Sequence, residues 1–243
     1  MTDVNYKAAS YTHAGMVRKI NEDACLELTW DGLWAVADGM GGHAAGDYVS
    51  SLAVDTLRQL PLIHGLDELV QAVRSALERV NGCVRAETTR RGVAMMGSTV
   101  VVLAARGDEA IGLWAGDSRL YRLRQGRIER LSHDHSYVQG LQDSGLLSEA
   151  EARVHPRGNI ITRAIGVEDR LELQAVSVHV QPGDTYLLCS DGLNKTAEDH
   201  EIADVLGHPD PYQVVRSLVH LGLTRGAPDN ITAVVVKANR TTP

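Results

Sequence analysis

The sequence is poor in cysteine, in long apolar runs and in clustered positive charge, and each shortage closes off a class of protein. Three cysteines among 243 residues, Cys25, Cys83 and Cys189, are odd in number and widely spaced. They fit reduced, mostly buried thiols rather than a disulfide framework or a zinc site. No apolar run approaches the roughly 18 residues that span a bilayer. The opening stretch MTDVNYKAASYTH has no basic segment leading into an apolar one, so no signal peptide and no membrane partner are expected, and the expected compartment is the cytoplasm. The formal net charge is −7 and the basic residues do not cluster. A nucleic-acid partner is not expected, because a phosphate backbone calls for a positive stripe. An acidic balance can still gather in one cleft and suit divalent cations.

No repeat, low-complexity segment or long linker interrupts the chain, and one domain over residues 1–243 is the expectation. Strand-like runs cover residues 7–13, 24–29 and 32–37. A ladder follows from Ser98, STVVVLAAR, EAIGLWA, SRLYRLR and RIERLS, punctuated by Arg-Gly-Asp, Ala-Gly-Asp and Arg-Gln-Gly turns. LELQAVSVHV, DTYLLCS and ITAVVVK come later. Apolar residues at helical spacing mark 44–60 and 66–88, and further helices are expected at 149–154, 198–206 and 212–223, the last with Pro211 at its start. Hairpin-linked strands followed by helices indicate an α+β chain with antiparallel sheets and helices packed outside them. The polar segment 136–157 breaks the strand series and reads as a partly helical surface flap.

The chemistry lies in carboxylates at the ends of apolar runs. Asp38-Gly39 follows GLWAVA, Asp117 stands in WAGDSR, Asp191-Gly192 follows TYLLCS, and Asp229-Asn230 precedes ITAVVV. Each alone is ordinary turn chemistry. Together, at the rim of one core, they would form a cluster whose like charges need cations. Oxygen ligands without a Cys or His pattern point to hard ions such as Mg²⁺ or Mn²⁺.

Eight segments in order carry a resemblance over some 215 residues. They begin Gly15-Met-Val-Arg18-Lys-Ile-Asn21-Glu22-Asp23 and Asp38-Gly39-Met40-Gly41-Gly42-His43. Gly97-Ser98-Thr99, Gly116-Asp117-Ser118-Arg119, Leu131-Ser-His-Asp134-His135-Ser136 and Ile161-Thr162-Arg163-Ala164-Ile165-Gly166 follow. Ser190-Asp191-Gly192-Leu193 and Asp229-Asn230-Ile231-Thr232 complete the series. The chain resembles the PPM (PP2C-type) metal-dependent Ser/Thr protein phosphatases in their compact bacterial form. The resemblance implies a four-layer αββα sandwich with metals at one end between two antiparallel sheets. It implies that Asp38 bridges two ions, with the Gly39 carbonyl completing one shell. Asp191 and Asp229 would ligate the first ion, and Glu22 would hold water on the second with Asp23 in support. Asp117 with Asp191 would make a third site, and Arg18 would bind the substrate phosphate. Implied partners are Ser/Thr-phosphorylated proteins and the bacterial Ser/Thr kinase that the enzyme would oppose.

The physical logic agrees. Two cations cancel the repulsion between a phosphomonoester dianion and hydroxide and acidify the water between them. A hydroxide bridging them would attack phosphorus in line, while the planar fork of Arg18 holds two phosphate oxygens. The leaving alkoxide needs a proton. Met40 stands where many eukaryotic members have histidine, and His43 is the nearest candidate, beside a metal-bound water. Ser118, Ser190 and Thr99 are expected to bond the loops that aim the aspartates; Asp134 and His135 are expected to stabilise the turn before the flap, the alternative being that they shape the flap or touch substrate.

Other chemistries lack their residues. Gly39-Met-Gly41-Gly42 resembles a dinucleotide-binding turn, but the acidic residue expected about 20 positions on is missing. No cysteine is followed six positions later by arginine, and there is no Asp-x-Asp pair and no Gly-Lys-Ser/Thr. The remaining alternative is a non-catalytic phosphoprotein-binding module on the same fold. Retention of Asp38, Asp191, Asp229 and Arg18 argues against it.

Overall fold

The computed structural model describes residues 4–41 and 45–241. Eleven strands build two antiparallel sheets. One has the order β1 (Val4–His13), β11 (Ile231–Arg240), β10 (Thr185–Cys189), β7 (Arg119–Arg124), β8 (Arg127–Arg130). The other runs β2 (Asp23–Leu28), β3 (Leu33–Met40), β5 (Val100–Arg106), β6 (Glu109–Ala115), β9 (Gln174–His179), with the two-residue β4 (Gly97–Ser98) beside the end of β3.

The strands read as near-continuous apolar runs because both faces are covered. Along β5, Val100, Val102 and Ala104 join a core with helices, whereas Val101, Leu103 and Ala105 face the space between the sheets. Along β11, Ala233 and Val235 pack toward helices, and Val234 and Val236 meet Trp34, Val101 and Tyr186 in the inter-sheet core. This period-two division yields four layers. α1 (Gly46–Arg58) and α2 (Leu66–Arg91) cover the β2–β9 sheet, and α6 (Asp199–Leu206) and α7 (Pro211–Thr224) cover the other.

Local chemistry sets the boundaries. Pro211 opens α7, with the Asp210 carboxylate accepting from the Tyr212 N–H, an N-cap joined to a first-turn proline. Gln125 and Gly126, both at positive φ, make the two-residue turn between β7 and β8, the backbone twist that tight hairpins need. The segment 136–157 carries two short helices, α3 (Tyr137–Asp143) and α4 (Glu149–Arg153). Ser148 and Glu151 form a reciprocal capping box on α4. The run TYLLCS ends as a strand at Cys189, and Asp191 opens a short helix, α5 (Asp191–Asn194), instead of closing the strand. Among the described residues, no helix is long and apolar enough to cross a membrane.

Candidate active site

The carboxylates named by the sequence converge at one end of the two sheets. Asp23 and Asp38 are directly paired across β2 and β3. Asp117 follows β6, Asp191 opens α5 beyond β10, and Asp229 stands two residues before β11. Burial, and then the charges of Asp23, Asp191, Asp117 and Asp229, hold the Asp38 carboxyl well above the usual carboxylate range.

Backbone contacts aim Asp38. The Thr99 N–H donates to the Asp38 carbonyl at 2.9 Å, and the Asp38 N–H donates to Thr99 Oγ1 at 3.2 Å. Ser98 Oγ donates to the same carbonyl at 3.0 Å, and Thr99 Oγ1 shares a 2.7 Å hydrogen bond with Ser118 Oγ. Thr99 and Ser118 therefore brace the strand end that carries Asp38. Gly39 has no room for a side chain, since a Cβ there would lie 2.2 Å from the Gly46 carbonyl oxygen and 2.6 Å from that of Glu22.

Asp23 is buried, and its Oδ2 accepts from Ser190 Oγ at 2.7 Å and Thr232 Oγ1 at 2.6 Å. Burial pushes its carboxyl up to about 7 against the opposing effect of these two hydroxyls, with Asp191 and Asp229 adding to the rise. Its Oδ1 has no protein partner. Burial likewise raises Asp117 to about 7, followed by the charge of Asp191, while Lys195 pulls the other way. Asp117 is 4% exposed and its Oδ1 is also without a partner. Buried carboxylate oxygens are seldom left unpaired.

Arg18, Glu22 and Asp229 meet through Asn230. The Asn230 side chain accepts from the Glu22 N–H at 2.8 Å and donates to the carbonyls of Ala14 at 2.9 Å and Ile20 at 3.0 Å. It thereby fastens the 14–22 loop beside the cluster. Arg18 Nη2 lies 2.8 Å from Asp229 Oδ2, with the two side chains 53% and 38% exposed. This hydrogen bond, and then the Asp229 charge, raises the Arg18 pKa. His43 lies outside the described residues.

Lys195 is not singled out by the sequence, and Arg119 stands there only within the Gly116-Asp117-Ser118-Arg119 motif, with no role of its own. Lys195 Nζ pairs with Asp191 Oδ2, donates to Asn159 Oδ1 at 2.7 Å and stands 3.9 Å from Asp117 Oδ2. The spacing of four from Asp191 is the only sequence signal, and it has meaning only once the intervening turn is helical. Arg119 holds Asp134 with a forked pair, the shortest contact 2.7 Å, and His135 stacks on Trp114 at 6.3 Å between ring centroids. These contacts fix Asp134 and His135 in the turn before the flap, and Asp134 also faces the cleft. A cleft of about 580 Å³ opens beside Asp117 and Lys195 and runs under the flap past Ser136, Arg153 and Asn159.

Among the described residues, no three His, Cys, Asp or Glu side chains are already arranged to enclose an ion. The donor set nonetheless fits hard divalent cations. It consists of oxygen atoms, includes two unpartnered buried carboxylate oxygens, and sets five mutually repelling carboxylates against Arg18 and Lys195 among the described residues.

These features define a carboxylate site for divalent cations at the end of a two-sheet sandwich, and comparison with known proteins places that fold in a family. The chain belongs to the protein phosphatase 2C family, whose model matches residues 13–221. Serine/threonine protein phosphatase PstP of Mycobacterium tuberculosis is 36% identical over 234 residues, covering 93% of this chain. The chain spans 44% of that relative's length. PppA, described as a key regulatory component of T6SS in Pseudomonas aeruginosa, superposes with a TM-score of 0.91 at 63% identity, covering 96% of this chain and 98% of PppA. The catalytic domain of PstP in complex with two manganese ions superposes with a TM-score of 0.87 at 32% identity, covering 97% of this chain and 99% of that one.

Proposed function

We propose that this protein is a phosphoprotein phosphatase that hydrolyses phosphoserine and phosphothreonine with Mn²⁺ or Mg²⁺, acting against a Ser/Thr kinase on shared substrates. The observation that carries the proposal is the convergence of Asp23, Asp38, Asp117, Asp191 and Asp229 at one sheet end, with buried oxygens that no protein group satisfies. Such a cluster costs stability unless cations fill it. Family membership and the phosphatase names of the relatives support the same reading.

Asp38, Asp191 and Asp229 would hold one ion, and the Gly39 carbonyl would complete one of the two shells. Asp38 with water on Glu22, supported by Asp23, would hold a second. When bound, the ions would offset the charge of the phosphate and supply the nucleophile by acidifying water. The protein's own groups then set the geometry. Arg18, half-exposed and paired with Asp229, would grip two phosphate oxygens with its planar fork once Asp229 is committed to a cation. Thr99, Ser98 and Asn230 keep the carboxylates and the 14–22 loop in place. The cleft under the flap is open to the polypeptide flanking the phosphorylated residue.

The test is phosphate release from a phosphothreonine peptide with Mn²⁺, Mg²⁺ or EDTA, using the wild type and Asp38→Ala. Release that depends on metal and is lost in the variant is expected. A folded wild type that binds Mn²⁺ yet releases no phosphate from any of several phosphopeptides would favour a binding module instead.

A further inference from the structure

The outer pair of carboxylates already has a cation of its own. Lys195 follows α5, which Asp191 opens, so the two residues stand one turn apart. Its ammonium pairs with Asp191 Oδ2, lies 3.9 Å from Asp117 Oδ2 and donates to Asn159 Oδ1 at 2.7 Å. Asp117 is 4% exposed with Oδ1 unpartnered, so the pair offers a cation a buried carboxylate oxygen. The ammonium also stands where the 580 Å³ cleft meets the acidic cluster, on the side from which an ion would reach the pair.

Building on the proposed phosphatase function, we infer that Lys195 serves as the resident counter-ion of Asp117 and Asp191 and keeps a third divalent ion from that pair. A divalent ion against Asp117 Oδ2 would sit within a few ångströms of the ammonium, and at equal distance that repulsion offsets its attraction to one of the two carboxylates. Binding there requires Lys195 to leave Asp191 and to give up its hydrogen bond to Asn159. Among the described residues neither Asp38 nor Asp229 pairs with a lysine ammonium, and Arg18, which pairs with Asp229, is 53% exposed against 37% for Lys195.

Mn²⁺ stoichiometry of the full chain, measured by equilibrium dialysis with metal analysis, tests the inference. The wild type should bind two ions at saturation, Lys195→Met and Lys195→Gln three, and Lys195→Arg two. Adding Asp117→Asn to Lys195→Met should return the count to two. Circular dichroism reports whether each variant is folded. Three ions on the wild type would overturn the inference even if both neutral variants failed to fold. Two ions on folded Lys195→Met or Lys195→Gln would also overturn it, while leaving the phosphatase reading intact. No ion on the wild type would overturn that reading and the inference together.

Discussion

At Asp38, burial and neighbouring charge act in the same direction, and both favour the protonated form. Asp23 and Asp117 are pushed from 3.8 up to about 7 for the same leading reason. Between about pH 4 and about pH 7 the metal-free folded chain therefore holds protons that the unfolded chain has released. Its stability falls as pH rises through that window. The melting temperature of EDTA-treated protein should drop from pH 5 to pH 7.5, and Mn²⁺ should raise it more at pH 7.5 than at pH 5. A melting temperature of the EDTA-treated protein that rises with pH over this range would refute the assignment. Asp38→Asn should abolish phosphate release yet melt higher than the wild type without metal at pH 7.5, by about 2–4 °C per kcal/mol of relieved repulsion. Arg18→Lys keeps the charge but loses the fork. Steady-state kinetics on a phosphopeptide should show KM raised about tenfold or more.

At the scale of elements, the site depends on close backbone approaches between segments far apart in sequence. Asn230 joins the 14–22 loop to the start of β11 through three hydrogen bonds. Asn230→Ala leaves those groups unpaired, at a cost of about 1–3 kcal/mol each where burial is complete. Mn²⁺ titration should show weaker binding, because Glu22 and Asp229 lose their common support. Unchanged affinity would show that the loop is held by other contacts. The four carboxylates beside glycine or asparagine were legible because each adjoins a buried apolar run, which places it at a rim. The partners of Asp23 were not, since Ser190 and Thr232 lie 167 and 209 positions away. α5 was also illegible, because four residues are too short for helical periodicity. Read as a strand end, that segment hid the proximity of Lys195 to Asp191. β4 exists only by pairing with the end of β3, and no pattern within Gly97-Ser98 announces it.

At the scale of the molecule, two sheets covered by helix pairs make a stiff frame with its functional groups at one end. Apolar strands expected from the sequence became inter-sheet and helix-facing rows in alternation. The order of the layers came from the resemblance and not from periodicity, which is blind to which strand neighbours which. The frame helps to hold these like-charged groups together before any ion arrives: Thr99 braces Asp38, Ser190 holds Asp23, the Asn230 N–H holds Asp229, and Lys195 pairs with Asp191. The central claim is that this cluster is the seat of the catalytic ions. Anomalous diffraction from crystals soaked in Mn²⁺ tests it most directly. The account predicts two peaks against Asp38, one of them also touching Asp191 and Asp229, and none between Asp117 and Lys195. Peaks confined to other parts of the surface, with the carboxylate cluster empty, would contradict it.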